Sequence, residues 1–160
     1  MRRFVFTVLS FYLFNAYVRG QSSFDSTRIL GESTTSGIAT GIHIGKYPML
    51  ELGYFRHVTF EFPMTWGNSY TLEACFLKNF AFAPKASYWI NVLYFNVGVN
   101  IPWYFDFKGN NSLKFRPEIG YGYKNFKINY AINLSVTNRD MEYIGKNFIS
   151  INYYIGLKEN

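Results

Sequence analysis

Between residues 126 and 136 hydrophobic and polar side chains alternate without a break. Phe126, Ile128, Tyr130, Ile132, Leu134 and Val136 are apolar or aromatic, and Lys127, Asn129, Ala131, Asn133 and Ser135 between them are polar or small. A period of two belongs to a β-strand with two unlike faces. The pattern returns at residues 149–157, where Ile149, Ile151, Tyr153, Ile155 and Leu157 oppose Ser150, Asn152, Tyr154 and Gly156, and again at 113–123 and 95–107. It is weaker at 38–45, 50–55, 69–76 and 80–88, which brings the expected number of strands to eight. Breaks fall on turn-forming residues: Gly45-Lys46-Tyr47-Pro48, Trp66-Gly67-Asn68, Lys78-Asn79, Gly109-Asn110-Asn111, Lys124-Asn125 and Thr137-Asn138-Arg139-Asp140. Pro117, inside a strand, predicts a local bend.

The first 36 residues follow other rules. Arg2 and Arg3 precede an apolar run at 4–14, and Val18 and Gly20 offer a cleavage site, so residues 1–20 read as a signal peptide and the mature chain as starting near Gln21. The run is too short for a spanning helix, and no later stretch is apolar enough to be one. Residues 21–36 (QSSFDSTRILGESTTS) read as a flexible lead-in, and 37–158 as the barrel.

Composition bears on which face points where. Aromatic residues make up 21% of the 160, and charged residues only 16%, against about 25% in an ordinary soluble domain. So few charges cannot cover a water-facing surface. Of the formal charge of +6, three come from Arg2, Arg3 and Arg19, leaving about +3 in the mature chain. The remaining basic residues are spread along the strands, which excludes the basic stripe of a nucleic-acid binder. The apolar face carries bulky aromatics near strand ends, as outer-membrane barrels do. The opposite face mixes glycines with Glu51, Glu73, Lys114, Arg116, Glu118 and Lys127. A sheet in lipid must also close on itself, since free strand edges cannot be solvated there. The expected fold is therefore all-β: a closed antiparallel up-and-down transmembrane β-barrel of about eight strands, apolar outside, with a narrow polar lumen.

Several stretches resemble a family: Ala83-Pro84-Lys85, Tyr104-Phe105-Asp106-Phe107, Phe115-Arg116-Pro117-Glu118-Ile119-Gly120-Tyr121-Gly122 and Tyr130-Ala131-Ile132-Asn133-Leu134. Together, over residues 37–157, they are similar to the small, largely uncharacterised outer-membrane β-barrel proteins of Bacteroidota. The Arg-Pro-Glu-Ile-Gly run is the most specific. The resemblance implies the outer membrane of a Gram-negative bacterium, insertion by the barrel-assembly machinery and no established enzymatic role. The chain departs from such barrels at its end, where Leu157 is followed by Lys158-Glu159-Asn160 rather than by a terminal aromatic.

Candidate chemistry is sparse. Cys75 has no disulfide partner and no neighbours at metal-ligand spacing. His43 and His57, on different strands, lie in no recognisable Ser or acid motif and have no third ligand, so neither an enzyme, a metal site nor a cofactor is expected. Gly120-Tyr121-Gly122 lacks the following helix of a phosphate loop and reads as strand glycines beneath crowded interior side chains. Glu51, Glu73, Asp106, Lys114, Arg116, Glu118 and Lys127 are expected to form a charge-compensated network filling the lumen. The expected role is structural or interactive, through loops around residues 107–111 and 137–146, with outer-membrane lipid as partner. The competing readings are a soluble periplasmic barrel carrying a small apolar ligand and a lipid-modifying enzyme acting through His43 or His57.

Overall fold

A computed structural model describes residues 33–60, 64–76, 80–137, 141 and 144–159. The expected signal peptide and most of the lead-in lie outside them. The described residues form nine strand segments: β1 (Ser33–Ile44), β2 (Met49–Thr59), β3 (Met64–Cys75), β4 (Ala81–Val92), β5 (Phe95–Asp106), β6 (Asn111–Tyr123), β7 (Phe126–Ile132), β8 (Leu134–Ser135) and β9 (Asn147–Glu159). β7 and β8 keep one register against β6 and make a single strand interrupted at Asn133. The interruption falls where Pro117, which has no N–H, faces this strand across the ladder. Each strand pairs antiparallel with its chain neighbour, and β1 pairs with β9, closing an eight-strand up-and-down barrel.

The register fixes the barrel's dimensions. A path across the pairings runs Ser33, Thr59, Thr65, Asn91, Asn96, Gly120, Asn129, Ser150 and returns to β1 at His43. The return lies ten residues beyond its start. Eight strands with that stagger tilt by about 40° and close at a radius of about 8 Å. Such an interior is just wide enough to be filled by side chains.

The two ends differ. Strands are joined at one end by connections of four, two and two residues (60–63, 93–94, 124–125), and at the other by four, five, four and eleven (45–48, 76–80, 107–110, 136–146). We call them the turn end and the loop end. The alternation carries through to orientation: Val97, Ile101, Leu52, Ile119, Tyr130 and Ile149 all project outward and exposed, while Glu73, Arg116, Lys127, Asn129 and Ser150 are buried inside. Aromatics gather at both rims of the outward face. Tyr94 stacks on Tyr121 and Trp66 approaches Tyr88 at the turn end, and Phe76, Phe80, Phe82, Phe105 and Phe107 form a connected group at the loop end.

Two sequence expectations are corrected. Trp66-Gly67-Asn68 is no turn but lies within β3, paired with Val58, His57 and Arg56. Its glycine answers to the interior, since a Cβ on Gly67 would stand 2.5 Å from Trp89 Cζ2 and 2.8 Å from the Arg56 carbonyl oxygen. The chain passes from β2 to β3 through residues 60–63, and the β4–β5 hairpin turns at Leu93-Tyr94, with Leu93 held at φ 57°. The lead-in is shorter than expected, because Ser33-Thr34-Thr35-Ser36 is already strand, paired with β2 and at its end with β9. The β-branched Thr34 and Thr35 suit a strand as well as a loop.

Candidate functional site

The barrel interior is layered, and the inward residues of each strand read in the same order. Near the turn end Phe55, Tyr154, Trp89 and His57 make an aromatic layer, with edge contacts between Phe55 and Tyr154 (4.9 Å between centroids) and between His57 and Trp89 (5.9 Å). Lys127 is buried in this layer, its Nζ 3.1 Å from the Trp89 ring centroid and donating to the Tyr154 hydroxyl at 3.1 Å. Among the described residues it has no carboxylate at ion-pair distance. Near the loop end Met49, Cys75, Ala83, Tyr104 and Phe148 form an apolar cluster. Met141 and Ile144, from the eleven-residue loop, are buried in it.

Between these layers lies the ionic centre. Glu73, fully buried on β3, accepts from Arg116 Nη1 (2.6 Å) and Nη2 (3.0 Å), a bidentate pair, and from the Tyr104 hydroxyl (2.7 Å). Arg116 also donates from Nη2 to Tyr104 and from Nε to Asn133 Oδ1 (2.7 Å). Lys85 on β4 sits between the carboxylates, 2.8 Å from Glu51 Oε2 and 3.0 Å from Glu73 Oε1. His43 Nε2 reaches the same oxygens at 2.7 and 3.1 Å, and Asn152 Nδ2 donates to Glu51 Oε2 at 2.9 Å. The two carboxylates are thus matched by one guanidinium and one ammonium, with every charged group hydrogen-bonded. Pairing and hydrogen bonding of this kind offset the cost of burying charge.

The expected network is therefore assembled in part. Glu73 and Arg116 meet directly, and Glu51 joins them through Lys85 and His43. Lys114 is buried above them, donating to Ser135 Oγ at 3.3 Å, and Glu118 points inward, half-buried, accepting from Asn100 Nδ2 at 2.9 Å. Asp106 is not a member. It ends β5 at the rim, where its carboxylate accepts from the backbone N–H of Lys108 (2.9 Å) and Asn110 (2.8 Å) and from the Asn110 side chain (2.9 Å). Its parity is inward, but the ladder stops there and the hairpin turn offers nearer donors. His43, Lys85, Tyr104, Asn133 and Asn152 belong to the network and were not anticipated. His43 shares the inward parity of Ala39 and Gly41, and Lys85 that of Ser87; their partners follow only from closure of the barrel.

Two arrangements look like chemistry. His43 Nδ1 lies 2.8 Å from Ser150 Oγ while Nε2 faces Glu51, the order of nucleophile, base and orienting acid. All three groups are buried between the aromatic and apolar layers. His43, Glu51 and Glu73 also place ligand atoms within 4.8 Å of one another. Lys85 already supplies the cation there, so a metal would have to displace a fully paired ammonium. His57, remote from this centre, packs on Phe55 and Trp89. Glycine fits the remaining interior: a Cβ on Gly122 would stand 2.7 Å from Asn91 Oδ1 and one on Gly98 2.8 Å from Glu118 Oε1. No protein-family model, curated protein or solved structure matches the chain.

Proposed function

We propose that the chain is a small outer-membrane β-barrel with a filled polar lumen, acting as a structural or interaction protein through its loop end rather than as a pore or an enzyme. The observation that carries this is the reversed polarity of the sheet, with isoleucine, leucine, valine and aromatic side chains outward all round and the ion pairs inside. Soluble monomers rarely expose apolar patches of more than a few hundred Å², whereas a membrane barrel requires such a belt. The six outward residues from Phe126 to Val136, each residue climbing about 2.5 Å along the axis of the tilted barrel, span about 25 Å, the height of the apolar band of such barrels. Short turns at one end and longer loops at the other match their periplasmic and extracellular sides. A carrier of apolar ligands would need an apolar interior, and this one is ionic at its centre.

Fractionation tests the reading. The mature protein is expected in the outer-membrane fraction, extractable only with detergent and migrating faster unboiled than boiled. Recovery in the soluble periplasmic fraction would overturn it. The long loop is then the natural contact surface: Asn133 binds it from the barrel wall, its N–H donating to the Lys146 carbonyl (2.7 Å) and Nδ2 to that of Gly145 (3.2 Å), and Met141 and Ile144 anchor it from within.

A further inference from the structure

Among the described strand residues, the outward face carries only two charged side chains, Arg56 and Lys158, both basic and both near the turn end. The register brings them together. Lys158 pairs with Ser36, Ser36 with Arg56 and Arg56 with Asn68, making one continuous outward row across β9, β1, β2 and β3. Lys158 owes its place to a β-bulge. Phe148, Ser150, Asn152 and Tyr154 point inward, and unbroken alternation would send Lys158 inward too. The pairing slips between Ser36 and Gly37, leaving Gly37 opposite Gly156 and Ser36 opposite Lys158, so that the ammonium joins the outward face. Re-aiming a side chain is a known use of bulges. Gly37 permits the close approach, since a Cβ there would overlap the Ile155 carbonyl oxygen at 1.9 Å.

Neither Arg56 nor Lys158 forms an ion pair or side-chain hydrogen bond among the described residues. Immediately above them, towards mid-barrel, the next outward row is Ile155, Ile38, Tyr54 and Tyr70. A guanidinium and an ammonium two strands apart, their Cα atoms about 10 Å from each other, can converge on a single anion, with the Ser36 hydroxyl and the Asn68 amide between and beside them. The apolar row above would lie along an acyl chain. We propose that this row binds the phosphate headgroup of an anionic phospholipid in the leaflet at the turn end. The proposal rests on the membrane reading and adds to it a lipid class and a site.

Trp66, two residues before Asn68 on the same outward face, is a built-in reporter. In a Trp103→Phe background it is the one outward tryptophan, Trp89 being buried inside. The protein is folded into vesicles of equal parts phosphatidylcholine and phosphatidylglycerol, with bromine on the chains of one lipid or the other. Brominated phosphatidylglycerol should associate at Trp66 with roughly fivefold preference, the order expected for one to two basic groups at a charged surface. Arg56→Gln/Lys158→Gln should bring the preference to parity, while Arg56→Lys and the turn variant Lys124→Gln should keep it. Unboiled gel migration checks that every variant is folded. Equal quenching by both lipids in the parent, or a preference that survives the double substitution, would overturn the lipid site and leave the membrane reading standing. A double substitution that changes only the oligomeric state would assign the row to a protein partner instead and overturn the lipid site likewise. Absence of quenching by either lipid would overturn the membrane reading itself.

Discussion

Glu73→Gln is the sharpest probe of the ionic centre. The substitution keeps the side chain's shape and one acceptor but removes the charge that Arg116 meets at 2.6 and 3.0 Å and Lys85 at 3.0 Å. Lys85 retains Glu51 at 2.8 Å, whereas Arg116 is left with Asn133, Tyr104 and the Phe148 ring, whose centroid lies 5.0 Å from Cζ. Breaking a buried pair from one side costs about 3–5 kcal/mol, and the surviving partners place this case near 3 kcal/mol. The assay is urea unfolding in phospholipid vesicles, followed by the fraction of compact, fast-migrating protein on unboiled gels. Arg116→Met in the same chain should recover much of the loss, because the pair then leaves together, giving a coupling of about 2 kcal/mol in the double-mutant cycle. A Glu73→Gln barrel within about 1 kcal/mol of the parent, or additive single effects, would refute the account of the lumen as a mutually compensated network.

Two further outcomes follow from the interior. Gly67→Ala should destabilise by about 1–3 kcal/mol, the cost of overpacking, because its Cβ meets Trp89 Cζ2 at 2.5 Å and a backbone oxygen at 2.8 Å; Trp89→Leu should restore part of the loss in the same urea assay. Lys127→Met should be neutral or stabilising, since it trades a buried ammonium held by two rings and a hydroxyl for an apolar chain of similar length; a loss above about 2 kcal/mol would show that the ammonium is more fully compensated than its contacts indicate.

Much of the fold is legible in the alternation, because a period of two in a sheet with unlike faces assigns both strand and side. Arg116, Glu73 and Lys127 point inward as their parity dictates. What escapes it is set by neighbours across the barrel. Leu93-Tyr94 turns without a turn-forming residue, with Tyr94 packed on Tyr121 and Tyr123 of another hairpin. Gly67 resembles a turn residue because the indole it accommodates comes from β4. Lys85 and His43 meet Glu51 and Glu73 only when the stagger of ten residues has closed the sheet, and the bulge that turns Lys158 outward exists only in the pairing of β9 with β1. Asp106 shows the opposite error: its parity is inward, but at the last residue of β5 the nearer N–H donors of the hairpin turn take its carboxylate.

The central claim is that the outward face meets lipid. β5 allows the most direct measurement, because Phe95, Val97, Val99, Ile101 and Trp103 descend its outward face from the turn end to beyond mid-barrel. Arginine at Val99 or Ile101 should cost about 2–4 kcal/mol for folding into bilayers, and at Phe95, beside the rim, no more than about 1 kcal/mol. Arginine tolerated equally at all three positions would mean that this face meets water, and would contradict the account.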